Sequence, residues 1–244
     1  AAMEIIGPPA SVQMTVRATR HGPVISDAGV AAGLTGPASL PSYALAMRWT
    51  ALDPDPGTLE ASLDMVQARS VPEFVKASAR YVAPMQNMVV ADREGRIGEV
   101  SAGRVPLRKA DNELKGQVPS PGWEARYDWA GFLDPTVTPR ELDPPRGWIA
   151  TANQRIHPVD YPHYITSEWA APYRMQRIEQ MLQARPKHSI NDLRDMHGDV
   201  LSLATVRLLP VLRLARSEHS LAAAAQRELA TFDGRMVGDR AAIE

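Results

Sequence analysis

The alternation of apolar and polar residues predicts strands in the first part of the chain and helices in the last part. Residues 87–92 and 97–100 are apolar runs rich in β-branched side chains, and the polar turn 93–96 separates them, which is typical of a β-hairpin. The other strands are predicted near residues 12–26, 43–50 and 147–152, and helices from 58 and after 172. This mixture of strands and helices predicts an α+β fold.

Apolar residues also recur at helical spacing. Leu59, Leu63 and Val66 form one face of the helix predicted near Thr58, which we expect to be its N-cap. A second helix is predicted to begin at Pro72, because proline is favoured in the first helical turn. The last part of the chain is predicted to be helical, in segments that begin at Arg174, Ser189, Leu201 and Ser217.

Composition narrows the classes of function. A net charge of −1 and a pI near 6.7 give no basic surface for nucleic acid. The absence of cysteine excludes a thiol nucleophile and a disulfide framework within this sequence. No apolar run approaches the roughly 20 residues that a membrane-spanning helix needs. We therefore expect no nucleic-acid partner and no membrane-spanning segment in these residues.

The segment 147–178 carries the strongest candidate chemistry. The run Trp148–Ala152 predicts a buried strand that ends on Asn153, whose amide has two donors and one acceptor oxygen. Such an amide can polarise a carbonyl or hold a developing oxyanion. Arg174 opens the following helix, where the helix dipole disfavours a cation, so we expect it to have a specific partner. The alternatives are an asparagine that only forms a turn and an arginine that only makes a structural ion pair.

Other polar residues have simpler interpretations. Arg20 and His21 lie in a predicted turn, which we expect their hydrogen bonds to hold. Asp92 begins the hairpin turn and is expected to cap it rather than to bind a metal. Arg108 is the best polar candidate in the Pro- and Gly-rich stretch 103–146, where we expect a surface salt bridge. The histidines show no paired spacing typical of metal ligands.

The segment around Asn153 resembles the β-chain of the penicillin acylase family of N-terminal-nucleophile hydrolases, which includes cephalosporin and acyl-homoserine-lactone acylases. The matching residues are TANQ (151–154), DYP (160–162), Trp169 and PYRMQRI (172–178). Further segments resemble the family in the same order over nearly the whole chain, namely TRHGPVISD (19–27), YALAMRWTALDP (43–54), NMVVADREGRIGEVSAGRVPLR (87–108), VPSPGWEARYDWAGF (118–132) and FDGRM (232–236).

This resemblance implies part of the four-layer αββα sandwich and hydrolysis of a small-molecule N-acyl amide. It implies that Asn153 donates in the oxyanion hole and that Arg174 lies beside the nucleophile. The family's nucleophile is an N-terminal Ser, Thr or Cys, and Ala1 has no nucleophilic side chain. We therefore expect residues 1–244 to be a single β-chain fragment, truncated at both ends, helical over about 172–244 and inactive by itself.

The resemblance also sets expectations about partners and cofactors. The partners would be the N-acyl substrate and the remaining α- and β-chain segments of the same precursor, which would be periplasmic or secreted. The full-length enzyme could hold a structural calcium, but residues 163–168 offer no clear ligand, so we assign no metal and no cofactor to this fragment. The alternative function is a non-catalytic ligand- or peptide-binding α+β module. A precursor sequence with Ser, Thr or Cys after an autocleavage site upstream of Ala1 would favour the enzyme.

Overall fold

The computed structural model describes residues 2–5, 12–28, 44–54 and 57–238. Contacts divide the chain into two compact units. Unit 1 comprises residues 1–141 and 162–167, and unit 2 comprises residues 142–161 and 168–244. The expected organisation of residues 1–244 as a single domain fragment stays a prediction.

Short antiparallel strands dominate unit 1. Strands β1 and β2 pair, as do β3 and β4 and also β7 and β8, while β5, β6 and β9 form a three-stranded sheet in that order. Their bounds are β1 Ala2–Ile5, β2 Val12–Thr15, β3 Ala18–Thr19, β4 Gly22–Pro23, β5 Gln86–Ala91, β6 Ile97–Ala102, β7 Pro106–Arg108, β8 Trp129–Phe132 and β9 Arg140–Leu142. The strand predicted near 12–26 is thus present as three shorter strands.

The hairpin predicted at 87–101 is confirmed. Strands β5 and β6 pair from Gln86 opposite Ala102 to Ala91 opposite Ile97. Asp92 closes the turn, because its Oδ1 accepts the backbone N–H of Arg96 at 2.9 Å, as expected for a capping side chain. Strand β6 is the inner member of the pair, since residues 100–102 are buried.

The strand predicted near 43–50 is wrong for the described residues 44–50. They contribute a single bridge, between Ala46 and Val24, flanked by a bond from the N–H of Ile25 to the carbonyl of Leu45 at 2.8 Å. A short 3-10 turn follows immediately at Thr50–Leu52. A second bond runs from the N–H of Met47 to the carbonyl of Pro23 at 2.9 Å, so the segment pairs with its neighbour only around this bridge and does not form a longer strand.

Two helices of unit 1 are α1 (Gly57–Gln67) and α2 (Val71–Ser78). Thr58 lies inside α1 and is not its cap, because its hydroxyl accepts the backbone N–H groups of Val82 and Ala83. The helix buries Ala61 and leaves its apolar stripe exposed, with Leu59, Leu63 and Val66 at 67%, 56% and 85% exposure. Periodicity located this helix correctly but did not identify the buried face.

The helices of unit 2 lie after residue 172, where helices were predicted. Its helices are α3 (Tyr173–Gln183), α4 (Ile190–His197), α5 (Leu203–Leu214) and α6 (Ala222–Thr231). The predicted cap at Ser189 is confirmed, because Ser189 and Asp192 form a reciprocal capping box at the start of α4. Leu209 and Phe232 are buried and anchor the packing of the last helices.

Candidate active site

Asn153 occupies a backbone conformation that few residues adopt. Its φ of 62° lies in the left-handed region, where asparagine is among the few tolerated side chains other than glycine. The turn interpretation of this residue therefore has a physical basis. The backbone explains why glycine, asparagine or aspartate is favoured at this position, but it does not explain where the amide side chain points.

Arg174 determines the orientation of that amide. It lies in the first turn of α3, and its Nη2 donates to the carbonyl oxygen of Ala152 at 2.8 Å and to Oδ1 of Asn153 at 2.9 Å. A guanidinium cannot accept a hydrogen bond, so the amide oxygen must be the atom that faces it. The amide nitrogen of Asn153 then points away from Arg174 with both of its donors, and no acceptor for them lies among the described residues.

The partners of Arg174 are neutral oxygens. In the part of the chain that the structure describes, no carboxylate lies within ion-pair distance of its guanidinium. This excludes, within that part, the alternative of an ordinary structural ion pair. Within the described residues, nothing compensates the positive charge that Arg174 brings to the oxygen side of the Asn153 amide.

The segment before Asn153 is not the buried strand that was predicted. Residues 148–152 have no strand assignment, and of these only Ala152 is buried. The backbone N–H of Ala152 donates to Oε1 of Gln154 at 2.7 Å, and its carbonyl accepts from Arg174. Both polar groups that a strand would offer to a neighbouring strand are therefore bonded to side chains.

The loop after Asn153 is closed by its own contacts. The carbonyl of Asn153 accepts the backbone N–H of Ala170 at 2.8 Å, which joins the two ends of the loop. Within it, the ring of His157 lies 4.8 Å from that of Tyr161 and 5.4 Å from that of Trp169, measured between centroids. The DYP and tryptophan elements noted in the sequence thus hold the loop that ends beside α3.

A second arginine of α3 makes an ion pair one turn further along. Arg177 donates from Nε and Nη2 to the two carboxylate oxygens of Asp199, at 2.7 and 2.9 Å. The hydrogen-bonded guanidinium of Arg177 holds the pKa of Asp199 below its ordinary value. Both residues line a cleft of about 620 Å³, together with Ala152, Arg174, Met181 and Leu203.

The sequence reasoning missed this ion pair. Arg177 lay within the quoted motif PYRMQRI, and its spacing of one helical turn from Arg174 was the available signal. Asp199 carries no comparable signal, because it follows α4 and meets Arg177 only in the folded chain.

Other polar residues considered in the sequence have structural contacts in unit 1. Arg20 donates to Asp128 at 2.7 Å and to the carbonyl of Gly122 at 2.8 Å, and a ring nitrogen of His21 lies 2.8 Å from the same carbonyl oxygen. Arg108 lies over the ring of Trp129 at 5.5 Å, and burial lowers its pKa. None of these residues belongs to the unit that contains Asn153.

Two broader features of the described residues concern metals and membranes. Across residues 57–238 and the shorter described segments, no group of three or more His, Asp or Glu side chains could hold a metal ion. The structural calcium considered for the full-length protein stays a prediction. Within the same segments, no helix is both long and apolar enough to cross a bilayer.

The architecture matches a known hydrolase fold. A solved penicillin G acylase from Alcaligenes faecalis aligns with 96% of this chain and 41% of its own, with a TM-score of 0.72 and 23% identity. The chain is therefore part of the α+β, four-layer αββα sandwich of the N-terminal-nucleophile hydrolases, which confirms the fold predicted from the sequence.

The chain belongs to the penicillin amidase family, whose sequence profile matches residues 2–244. It is 33% identical over 241 residues to the acyl-homoserine lactone acylase QuiP of Pseudomonas aeruginosa. It is also 33% identical over 226 residues to the penicillin acylase 2 proenzyme of Pseudomonas sp. strain SE83. In both comparisons the match covers 92% of this chain and 28% of the relative, so the chain spans little more than a quarter of their length.

Proposed function

We propose that the protein carrying this chain hydrolyses a small-molecule N-acyl amide, and that Asn153 stabilises the oxyanion formed during attack on the carbonyl. Arg174 is the residue that orients the Asn153 amide. The nucleophile and the rest of the substrate pocket would come from other segments of the same protein, since the chain spans 28% of the length of its acylase relatives.

The observation that carries this proposal is the direction of the Asn153 amide. Arg174 occupies the oxygen Oδ1 at 2.9 Å, which leaves the two N–H donors of the amide directed elsewhere. Donors fixed before the substrate arrives are the groups that stabilise negative charge in a tetrahedral intermediate. They interact more strongly with an oxyanion than with the ground-state carbonyl, so they lower the barrier of the chemical step.

The proposal is tested best by Asn153→Gly in the mature form of the whole protein. Glycine accepts the φ of 62° without strain, so this change removes the amide and leaves the backbone as it is. Alanine would add about 1–2 kcal/mol of left-handed strain and confuse the two effects. Turnover of a chromogenic N-acyl amide should fall by about 10²–10³ in kcat, with a much smaller change in KM.

Asn153→Asp is a second variant that tests the same N–H donor. Aspartate tolerates the same backbone conformation and can still accept from Arg174, but it has no N–H donor and repels an oxyanion. We expect kcat to be as low as in Asn153→Gly, or lower. A folded Asn153→Gly enzyme with unchanged kcat would show that the residue only forms a turn.

A further inference from the structure

The ion pair between Arg177 and Asp199 lies close to the proposed oxyanion site without belonging to it. Arg177 follows Arg174 by one helical turn, so the two side chains are neighbours on the surface of α3. Their partners differ in kind. Arg174 bonds neutral oxygens before the helix, whereas Arg177 bonds a carboxylate in the segment between α4 and α5.

The geometry of this pair is restrictive. Both carboxylate oxygens of Asp199 are engaged by two different nitrogens of Arg177, which fixes the plane of the guanidinium as well as its position. The side chains are only 25% and 11% exposed, so water competes weakly for these bonds. Breaking a shielded pair by removing one partner leaves the other without compensation.

Restraint on Arg177 is also restraint on Arg174. A helix is stiff over one turn, so holding Arg177 against Asp199 limits rotation of α3 about its own axis. That rotation would move the Nη2 of Arg174 away from the carbonyl of Ala152 and from Oδ1 of Asn153, which it reaches at 2.8 and 2.9 Å. Asp199 also compensates the charge of Arg177, so Arg177 does not compete with Arg174 for the oxygens of Ala152 and Asn153.

We propose that Arg177 and Asp199 are positioning residues of the hydrolytic site, which fix α3 so that Arg174 orients the Asn153 amide. This inference rests on the function proposed above. The proposed positioning role differs from a purely stabilising role in one respect. The pair acts on catalysis only through Arg174, so its effect on kcat must disappear when Arg174 is absent.

The test is a double-mutant cycle in the mature form of the whole protein, with Asp199→Asn and Arg174→Gln made singly and together. Asp199→Asn should lower kcat and leave KM little changed. The loss in kcat should be no larger than the loss caused by Arg174→Gln. A Coulomb estimate gives about 3-fold to 30-fold for Arg174→Gln. In the Arg174→Gln background, Asp199→Asn should lower kcat no further. Asp199→Glu, which keeps a carboxylate, should restore part of the loss.

A matched control is available at the other end of the same helix. Arg185 pairs with Asp192 at 2.5 Å just beyond α3, and we expect Arg185→Gln to leave kcat unchanged. The inference would be overturned if Asp199→Asn lowered kcat equally with and without Arg174. It would also be overturned if Asp199→Asn lowered the melting temperature and left kcat unchanged. Asn153→Gly in the same series separates it from the proposed function, because unchanged turnover in that variant refutes the function itself.

Discussion

Arg174→Gln is expected to lower kcat because it removes a positive charge from the far side of the Asn153 amide. Nη2 of Arg174 lies 2.9 Å from Oδ1 of Asn153, and an oxyanion bound to the amide nitrogen would lie one further hydrogen bond away. Adding the width of the amide places the charge about 7 Å from the oxyanion. Glutamine is about two bonds shorter than arginine, so this change removes the charge together with both hydrogen bonds made by Nη2.

Coulomb's law bounds the effect. At about 7 Å, a unit charge stabilises an oxyanion by about 2 kcal/mol in an effective dielectric of 20 and by about 0.6 kcal/mol in bulk water. These energies correspond to roughly 30-fold and 3-fold in rate. Arg174 is exposed in this chain, so the smaller figure is the lower limit. Loss of the amide's orientation adds only about a factor of two, because the released amide still has two comparable orientations.

The assay is steady-state turnover of an N-acyl amide by the mature whole protein, with Arg174→Lys as the comparison. Lysine keeps the charge and loses the planar guanidinium, so we expect kcat in the order Arg, Lys, Gln. The 244-residue chain carrying each change, followed by circular dichroism during thermal unfolding, reports whether the fold is retained. Lysine and glutamine variants of equal kcat would refute the charge argument, and a glutamine variant as fast as the wild type would remove Arg174 from the site.

Two further predictions concern the stability of the chain itself. Ser189→Ala should lower the free energy of unfolding by about 1 kcal/mol and Ser189→Gly by only a few tenths, measured by urea denaturation, because alanine cannot replace the cap at Ser189; equal losses would argue against capping. The backbone N–H groups of Val71 and Arg96 donate to the Asp92 carboxylate and lower its pKa. The stabilising contribution of Asp92 is therefore complete above the ordinary carboxyl pKa and is lost as pH falls through the lowered value. Asp92→Asn should therefore flatten the acid side of the plot of stability against pH, and an unchanged slope would contradict this assignment.

Local signals predicted the elements whose stability is local. The hairpin β5–β6 was predicted from two apolar runs and a turn with Gly95, whose φ of 87° suits glycine. The start of α4 was predicted from Ser189, since a capping side chain acts on the backbone of its own first turn. In both cases the determining contacts lie within a few residues of each other, so the sequence contains them directly.

The predictions that were wrong depended on side-chain and tertiary contacts that the spacing of apolar residues does not reveal. Trp148–Ala152 has the composition of a strand, but the polar groups of Ala152 are bonded to Gln154 and Arg174 instead of a neighbouring strand. The stripe of Leu59, Leu63 and Val66 was read from helical spacing, but its exposure depends on what packs against α1. Periodicity identifies a helix or a strand, and tertiary contacts decide which of its faces is buried.

The candidate site shows why asparagine suits position 153. The backbone φ of 62° excludes most side chains, including glutamine, which carries the same amide on a longer chain. Arg174 requires an acceptor oxygen on its Nη2, which glycine lacks. The proposed oxyanion requires N–H donors, which aspartate lacks. Glycine satisfies the first demand and aspartate the first two, but asparagine satisfies all of them. A residue needed only for a turn would be replaceable by glycine, so the kinetic difference between those two residues measures how far the amide is used for chemistry.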